Sequence, residues 1–132
     1  MILVDSSVWI DYFSGTDTPQ TATLDAFPRR EPLLVGDLIL VEVLQGFTSD
    51  REFTQARNLL AAFKTIELCG EQLAIQAAIN FRTLKKHNAT VRKPVDTVIA
   101  TCCIENDFAL LYSGRDFDSF VEHLGLQQAA GH

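Results

Sequence analysis

Short apolar runs alternate along the chain with longer segments in which apolar residues recur every three or four positions. The apolar runs predict strands at 2–4, 33–35, 65–68 and 108–112. The longer segments predict helices at 8–13, 20–29, 37–47, 50–63, 71–87, 95–106 and 116–123. Because short apolar strands that alternate with helices are typical of parallel sheets, the pattern predicts an α/β fold with helices on both faces of the sheet.

The same pattern predicts where individual elements begin and which side chains they bury. We expect a serine after Asp5 to cap the first helix, Asp37 to cap the third and Asp116 to begin the last. The apolar side chains expected to face the core include Ala22, Ala26, Phe27, Val41, Phe53 and Phe81. Residues 1–126 are expected to form a single domain, followed by a flexible tail at 127–132.

Length and composition fit one globular domain. The 132 residues are 47% hydrophobic, which is enough to build a core. No apolar run reaches the ~18 residues that cross a bilayer, and no basic segment precedes the first apolar run. The chain is therefore expected to be cytoplasmic, with no membrane partner. The spacing of Cys69, Cys102 and Cys103 supports neither a disulfide framework nor a zinc site, and we expect Cys102 and Cys103 to be core thiols.

The charge distribution leaves two interpretations open. A net charge of −6, from 11 basic and 17 acidic residues, argues against nucleic-acid binding by bulk charge. However, no acid lies between Glu71 and Asp96, and this stretch contains Arg82, Lys85, Lys86, Arg92 and Lys93. These cations could be a solvated helix end that suits the C-terminal helix dipole. Alternatively, they could form a basic rim beside an acidic centre.

Four acids occupy positions that could meet at one edge of the predicted sheet. Asp5 ends the first strand, Asp96 lies at the start of a helix opened by Pro94, and Asp116 follows the last strand. Glu42 lies between apolar neighbours on the third helix, so a buried Glu42 would need a cation or a polar cluster. Ligands of open α/β sheets bind at the carboxyl ends of the strands. Taken singly, however, each Asp could simply be a helix cap or a dipole partner.

If these four carboxylates converge, their mutual repulsion requires a counterion. Hard oxygen ligands favour Mg²⁺ or Mn²⁺, and such an ion lowers the pKa of a bound water and polarises a phosphoryl oxygen. The pattern then predicts a metal-dependent phosphodiesterase. The chain has no Gly-rich phosphate loop and no Gly-x-Ser-x-Gly motif. A phosphatase with a nucleophilic Asp would need an Asp-x-Asp pair, which the sequence after Asp5 lacks.

The chain resembles the PIN-domain ribonucleases of the VapC type, which are toxins of prokaryotic toxin–antitoxin modules. The residues that carry the resemblance are Asp5 within 2–10, Glu42 within 41–46, Asp96 within 96–100 and Asp116 within 110–118. Each motif alone is weak, but the four together, in this order and at this spacing, are specific and cover essentially the whole chain.

The resemblance implies a sandwich of helices around a central parallel sheet of four or five strands, and Mg²⁺- or Mn²⁺-dependent cleavage of RNA. It implies that Asp5, Asp96 and Asp116 hold the metal. Glu42 would hold it directly or through water and assist the attacking water. Ser7 would hydrogen-bond within the cluster, although it could also be a plain helix cap. The resemblance further implies a homodimer and an antitoxin protein, a segment of which covers the active-site groove.

The basic side chains are predicted to contact the RNA backbone at the rim of this site. The residues concerned are Lys85, Lys86, Lys93 and Arg115. Contacts of this kind position a nucleic acid without reading its sequence. A dimer interface over the same surface would contradict this prediction.

Gly114 departs from the family pattern, which commonly has an aspartate at this position, two residues before Asp116. The cluster then has four carboxylates instead of five. Gly114 could serve a left-handed turn. Alternatively, its presence could mean that the chain is a weakened PIN-like module that binds RNA or protein without cutting RNA.

Overall fold

The structure is a computed structural model that describes residues 1–26 and 33–129. The strands are β1 (Ile2–Val4), β2 (Leu33–Gly36), β3 (Lys64–Ile66), β4 (Ala109–Leu111) and β5 (Gln127–Gln128). The helices are α1 (Ser6–Phe13), α2 (Pro19–Ala26), α3 (Asp37–Leu44), α4 (Asp50–Leu60), α5 (Glu71–Lys86), α6 (Pro94–Asn106) and α7 (Asp118–Leu124). The predicted α/β fold is confirmed, with a parallel sheet of five strands and helices around it.

The central strand of the sheet is β1. The strand order is β3-β2-β1-β4-β5, and every neighbouring pair is parallel. Ile2 pairs with Leu33 on one side and with Ala109 on the other. The chain proceeds from β1 to β2 and β3 on one side of the sheet, and then to β4 and β5 on the other side. The boundary between β1 and β4 is therefore a topological switch point, where ligands of open α/β sheets bind.

The three inner strands form the core. Their fully buried side chains are Leu3, Val4, Leu34, Val35, Leu110 and Leu111, and the helices cover them with Trp9, Ile39, Leu84, Ile99 and Phe120. A strand that is buried on both faces is a nearly continuous apolar run, so the first polar residue after it marks the edge of the sheet. Within the described ranges, no helix is both long and apolar enough to cross a membrane.

Two predicted helix caps are wrong by one residue. The N-cap of α1 is Asp5 instead of a serine, because Asp5 has an extended backbone and its own carboxylate accepts the backbone N–H of Ser7. The N-cap of α3 is Gly36, and Asp37 is the first helical residue. The Asp37 carboxylate accepts the backbone N–H of Leu68 at 3.1 Å, so it ties α3 to the segment after β3.

Both edge strands differ from the prediction. β3 begins one residue before the predicted 65–68 and ends two residues earlier, because its register is set by pairing with Leu34–Gly36 of β2. Gln127 and Gln128 form β5 on the outer side of β4, so the predicted tail at 127–132 is wrong at its start. The apolar pattern could not predict β5, because both of its residues are glutamines. Residues 130–132 lie outside the described part of the chain.

Several apolar side chains that were expected to face the core are exposed instead. Val41 is 57% exposed, Phe53 37% and Phe81 38%, and Ala22 and Ala26 are also exposed. The predicted Phe27 and the end of the second helix lie outside the described residues. Cys102 and Cys103 are buried free thiols, as predicted.

Candidate active site

Asp5 is held at the carboxyl edge of the sheet, between β1 and β4. Its backbone N–H donates to the carbonyl oxygen of Leu111 at 2.9 Å, which extends the β1–β4 pairing by one residue. Its side chain is 4% exposed. Asp5 Oδ2 accepts the backbone N–H of Ser7 at 3.0 Å and the Ser7 hydroxyl at 2.6 Å. Asp5 Oδ1 is buried and finds no hydrogen-bond partner among the described residues.

Ser7 connects this carboxylate to the end of the neighbouring strand. While its hydroxyl donates to Asp5, its oxygen accepts the backbone N–H of Ser113 at 3.0 Å. The two loops that follow β1 and β4 are therefore joined through one side chain. This placement agrees with the predicted position of Ser7 within the acidic cluster.

Glu42 reaches the cluster from α3. It is half-buried, and the hydroxyl of Ser6 donates to its Oε1 at 3.2 Å. The chain thus uses both serines after Asp5, one for each of two carboxylates. Ser6 was not among the predicted site residues. Its position directly after Asp5, at the end of a strand, could have indicated that it belongs to the site.

Asp96 is the third residue of α6 and is 2% exposed. Burial is the main cause that raises its pKa to about 7; the charge of Lys93 lowers the pKa, and the charges of Asp5, Asp116 and Glu42 each raise it by a smaller amount. Asp96 Oδ2 is buried without a hydrogen-bond partner in the described chain. A carboxylate in this position is costly unless it takes up a proton or a cation.

The pKa values of two other acids in the cluster are shifted in the same direction. Burial raises the pKa of Asp5, against hydrogen bonds from Ser7 that lower it. Burial and then the charge of Asp5 raise the pKa of Glu42. Each of these acids is therefore near enough to at least one other for its charge to act on it.

Asp116 is exposed and lies in the loop between β4 and α7, since α7 begins at Asp118 instead of at the predicted Asp116. The Asp118 carboxylate accepts the hydroxyl of Tyr112 at 2.8 Å, and that hydroxyl accepts the side-chain amide of Gln128 at 2.7 Å. The loop that carries Asp116 is therefore fixed at both ends to the sheet.

The predicted basic contacts divide into two groups. Lys93 is exposed at the start of α6, and its charge lowers the pKa values of Asp5, Glu42 and Asp96, so it lies beside the cluster. Arg115 is exposed next to Asp116. By contrast, Lys85 and Lys86 are exposed in the last turn of α5 and are not among the charges that act on the carboxylates.

The donor set fits a hard divalent cation. Two buried carboxylate oxygens without hydrogen-bond partners, on Asp5 and Asp96, lie in a cluster where like charges raise the pKa. In the described ranges, no three His, Cys, Asp or Glu side chains are arranged to hold one ion together. These observations are compatible because Mg²⁺ usually keeps several waters and binds through only one or two carboxylates.

The loop after β4 contains Gly114 in a left-handed conformation, with φ of +81°. A Cβ added at this position would meet nothing within 4 Å. The backbone conformation therefore favours glycine even though the surrounding space is open. This observation agrees with the interpretation that Gly114 serves a turn.

A separate groove of about 690 Å³ opens elsewhere on the molecule. It is lined by Cys69, Gly70, Glu71, Gln72, Leu73, Gln76, Glu105 and Asn106. None of the four carboxylates lines this groove.

Comparison with known proteins points to one family. The family model of the PIN domain matches residues 2–122. Ribonuclease VapC11 of Mycobacterium tuberculosis is 25% identical, and the match covers 98% of each chain. Among solved structures, VapBC2 from Rickettsia felis bound to a DNA fragment of its promoter has a TM-score of 0.77 at 12% identity, over 98% of each chain. VapC20 of Mycobacterium tuberculosis, described as a toxin that cleaves the sarcin-ricin loop, has a TM-score of 0.71 at 15% identity, over 96% of this chain and 99% of that one.

Proposed function

The chain belongs to the PIN domain family, and from this premise we propose that it is a Mg²⁺- or Mn²⁺-dependent endoribonuclease that acts as the toxin of a toxin–antitoxin pair. The observation that carries the proposal is the carboxyl of Asp96, whose pKa is raised to about 7 by burial first and then by the charges of Asp5, Asp116 and Glu42. A relative that matches over its full length is named a ribonuclease, which supports the same activity.

In this proposal, Asp5 and Asp96 hold the ion directly, because each has a buried oxygen without a hydrogen-bond partner among the described residues, and Asp116 contacts it through bound water. When bound, the ion lowers the pKa of a water and polarises a phosphoryl oxygen. Glu42 is suited to accept a proton from the attacking water, because burial and Asp5 raise its pKa and thereby its basicity. The hydroxyls of Ser6 and Ser7 hold Glu42 and Asp5 in place.

Lys93 and Arg115 are proposed to contact RNA phosphates at the rim of the site. Both are exposed, the charge of Lys93 acts on Asp5, Glu42 and Asp96, and Arg115 directly precedes Asp116 in the sequence. These contacts offset the repulsion between RNA and a chain with a net charge of −6. The predicted contacts of Lys85 and Lys86 with RNA are supported only by their charge and exposure.

An antitoxin protein and a second copy of the chain are the proposed protein partners. A Klebsiella pneumoniae structure with the same fold is described as a toxin–antitoxin complex, which supports a partner of that kind. Val41, next to Glu42 on α3, is 57% exposed, and Ile10 on α1 is 47% exposed. An apolar side chain left open beside Glu42 suits a partner segment that covers the acidic cluster.

The alternative is a PIN-like module that has lost catalysis and still binds RNA or protein. The observation that favours it is Gly114, where the family commonly has an additional carboxylate. A cluster with fewer anionic ligands would bind a divalent cation more weakly. The two functions differ in whether the chain with its natural glycine cuts RNA.

Cleavage of structured RNA by purified protein tests the proposal. We expect cutting in Mn²⁺ or Mg²⁺ and none in EDTA. Glu42→Gln should slow cutting by roughly 10²-fold or more, as for loss of a general base. Glu52→Gln is the matched control, because Glu52 is exposed in the first turn of α4. Equal cutting in EDTA, or cutting by Glu42→Gln at the rate of the control, would contradict the proposed role of the acidic cluster.

A further inference from the structure

Two histidine side chains stack on one another where helices α5 and α7 end. The ring centroids of His87 and His123 are 4.3 Å apart, and the ring planes are inclined by only 13°. His87 is exposed and His123 is partly exposed, so solvent reaches the pair. The two residues are distant in the sequence, and the packing of α5 against α7 brings them together. Neither is among the groups whose charges act on Asp5, Glu42 or Asp96, so the pair is separate from the acidic cluster.

The backbone places both histidines at helix C-termini. His87 is the C-cap residue of α5, and its backbone N–H donates to the carbonyl oxygen of Leu84 at 3.0 Å. His123 lies in the last turn of α7, which is followed by Gly125 in a left-handed conformation. The peptide dipoles of a helix leave a partial negative charge at its C-terminus. A cation is therefore favoured where α5 and α7 end side by side.

The ring nitrogens of the pair make no hydrogen bond among the described residues. A carboxylate oxygen of Glu122, Oε2, lies 3.6 Å from Nε2 of His123. A carboxylate beside a metal-binding imidazole accepts one ring N–H and leaves the other nitrogen for the metal. The pair thus offers two nitrogen ligands and a carboxylate that can orient one of them.

The lysines near the end of α5 leave the pair accessible to a cation. Lys85 precedes His87 by two positions, and residues two apart on a helix lie on nearly opposite sides of it. The Nζ atom of Lys85 lies 5.9 Å from the ring centroid of Phe81 instead. Lys86 is exposed, so solvent screens its charge.

We propose that His87 and His123 together bind a divalent ion that favours nitrogen ligands, such as Zn²⁺ or Ni²⁺, at a site distinct from the acidic cluster. Imidazole suits Zn²⁺, Ni²⁺ and Cu²⁺, whereas carboxylate and water suit Mg²⁺ and Mn²⁺. Water fills the remaining coordination positions. The bound ion joins the end of α5 to the end of α7.

One imidazole must turn before the two can share an ion. In the stack, the lone pairs lie in nearly parallel ring planes and do not meet at one point, and the described ranges contain no preformed set of three ligands. In a tetrahedral site with bonds of about 2.0–2.1 Å, two ligand nitrogens are about 3.3 Å apart. The centroid separation of 4.3 Å is close to this distance. Because the χ2 torsion of histidine is broad, a rotation of one ring about its Cβ–Cγ bond brings the two nitrogens within reach of one ion.

Calorimetric titration with Zn²⁺ tests this site. Every protein in the titration carries Asp96→Asn, which weakens metal binding at the acidic cluster, so that the heat measured belongs to the histidine pair. We expect the parent protein to bind Zn²⁺, and we expect His87→Gln and His123→Gln each to weaken binding by more than about tenfold, since even the loss of an orienting partner commonly costs this much. Glu122→Gln should weaken binding less, because Glu122 is exposed.

The third histidine of the chain provides the matched control. His132→Gln also removes one imidazole, at a position outside the described residues, and should leave the affinity for Zn²⁺ unchanged. Absence of Zn²⁺ binding, equal affinity in His87→Gln and the parent protein, or a loss of affinity in His132→Gln would overturn the proposal.

Thermal unfolding gives an independent measure of the same site. Because the ion joins α5 to α7 in the folded state, Zn²⁺ should raise the melting temperature of the parent protein, and His87→Gln should remove most of this shift. The circular dichroism spectra without metal should be the same, since His87 is exposed. A shift that His87→Gln leaves intact would contradict the site. Cutting of RNA is measured separately, so failure of this proposal would leave the proposed nuclease function standing.

Discussion

Asp96 is the residue on which the account of the site depends most. It combines almost complete burial with three neighbouring negative charges, and its pKa is raised to about 7. An ordinary exposed aspartate has a pKa near ~3.9. The difference means that the folded protein without metal holds a proton on Asp96 more tightly than the unfolded chain does.

The stability of the metal-free protein should therefore fall as the pH rises. Between the unfolded pKa of roughly 4 and the folded pKa of about 7, unfolding releases a proton, so stability declines across this window and stays low above it. In EDTA, we expect a lower melting temperature at pH 8 than at pH 5. Asp96→Asn should flatten this dependence, while Asp50→Asn, at the exposed start of α4, should keep it. If the melting temperatures of the natural chain and of Asp96→Asn change with pH in the same way, the pKa of Asp96 is not raised.

Gly114 can be tested with two substitutions at one position. Its φ of +81° makes any side chain strained, so Gly114→Ala should lower the free energy of unfolding by about 1–2 kcal/mol. Gly114→Asp should cost less, because Asp tolerates the left-handed region better. If Gly114 serves the turn and four carboxylates suffice, Gly114→Asp melts lower and cuts RNA no faster. Activity that appears only in Gly114→Asp would instead identify the natural chain as a weakened nuclease.

At the residue scale, the sequence predicted which acids end a strand or lie near a helix start, but not how their side chains are held. Each of Asp5, Asp96 and Asp116 follows a strand or opens a helix, and that position is visible in the apolar pattern. The hydrogen bond from Ser6 to Glu42 joins residues that are 36 positions apart. No local pattern encodes such a contact, because it depends on how α1 and α3 pack.

At the scale of elements, the loop between β4 and α7 positions the last acid of the cluster. Tyr112 lies just after β4, and its hydroxyl links Asp118 at the start of α7 to Gln128 of β5. Three elements are thus joined through one buried phenol, whose pKa is raised to about 12 by burial and by Asp118. Asp116 lies within the segment that this link closes.

Tyr112→Phe should loosen this loop while leaving the fold intact. We expect the free energy of unfolding to fall by about 1 kcal/mol, as for one lost hydrogen bond. The affinity for Mn²⁺ should fall several-fold, because Asp116 is positioned less well. Tyr12→Phe on α1 is the matched control. Isothermal titration calorimetry measures the affinity of both variants for Mn²⁺. If Tyr112→Phe loses stability and binds Mn²⁺ as the natural chain does, the link has a purely structural role.

The elements that were predicted less well share a physical cause. The long helices and the inner strands have strong apolar periodicity, and their existence was predicted correctly. β5 consists of two glutamines and forms only because β4 offers an open edge. Val41 and Phe81 show the converse, since both are apolar and lie on helices but do not face the core of the chain.

At the scale of the molecule, strand order creates the site. The sequence predicted an alternation of strands and helices, but no local pattern states that β4 lies beside β1. That neighbour relation brings the loop with Asp116 next to Asp5. The family resemblance implied a central parallel sheet of four or five strands, and the structure provides the order of its strands.

The distribution of charge over the whole surface predicts how RNA binding depends on salt. If Lys93 and Arg115 each contact a phosphate, Lys93→Gln and Arg115→Gln should each reduce the slope of log affinity against log salt by roughly 0.7–0.9. All variants in this titration would also carry Asp96→Asn, so that the RNA is not cut during the measurement. Lys86→Gln should leave the slope unchanged, since the charge of Lys86 is not among those that act on Asp5, Glu42 and Asp96. A slope that falls with Lys86→Gln and not with Lys93→Gln would contradict the proposed phosphate contact of Lys93.

The stabilisation of the protein by Mn²⁺ tests the central claim most directly, because it needs no knowledge of the RNA target. A ligand at 100 times its dissociation constant stabilises a fold by about 2.7 kcal/mol, which corresponds to several degrees in melting temperature. We expect the natural chain and Asp50→Asn to melt higher in millimolar Mn²⁺, and Asp96→Asn to lose most of the shift. A melting temperature of the natural chain that Mn²⁺ leaves unchanged, or an equal shift in Asp96→Asn, would contradict a shared metal site at the four carboxylates.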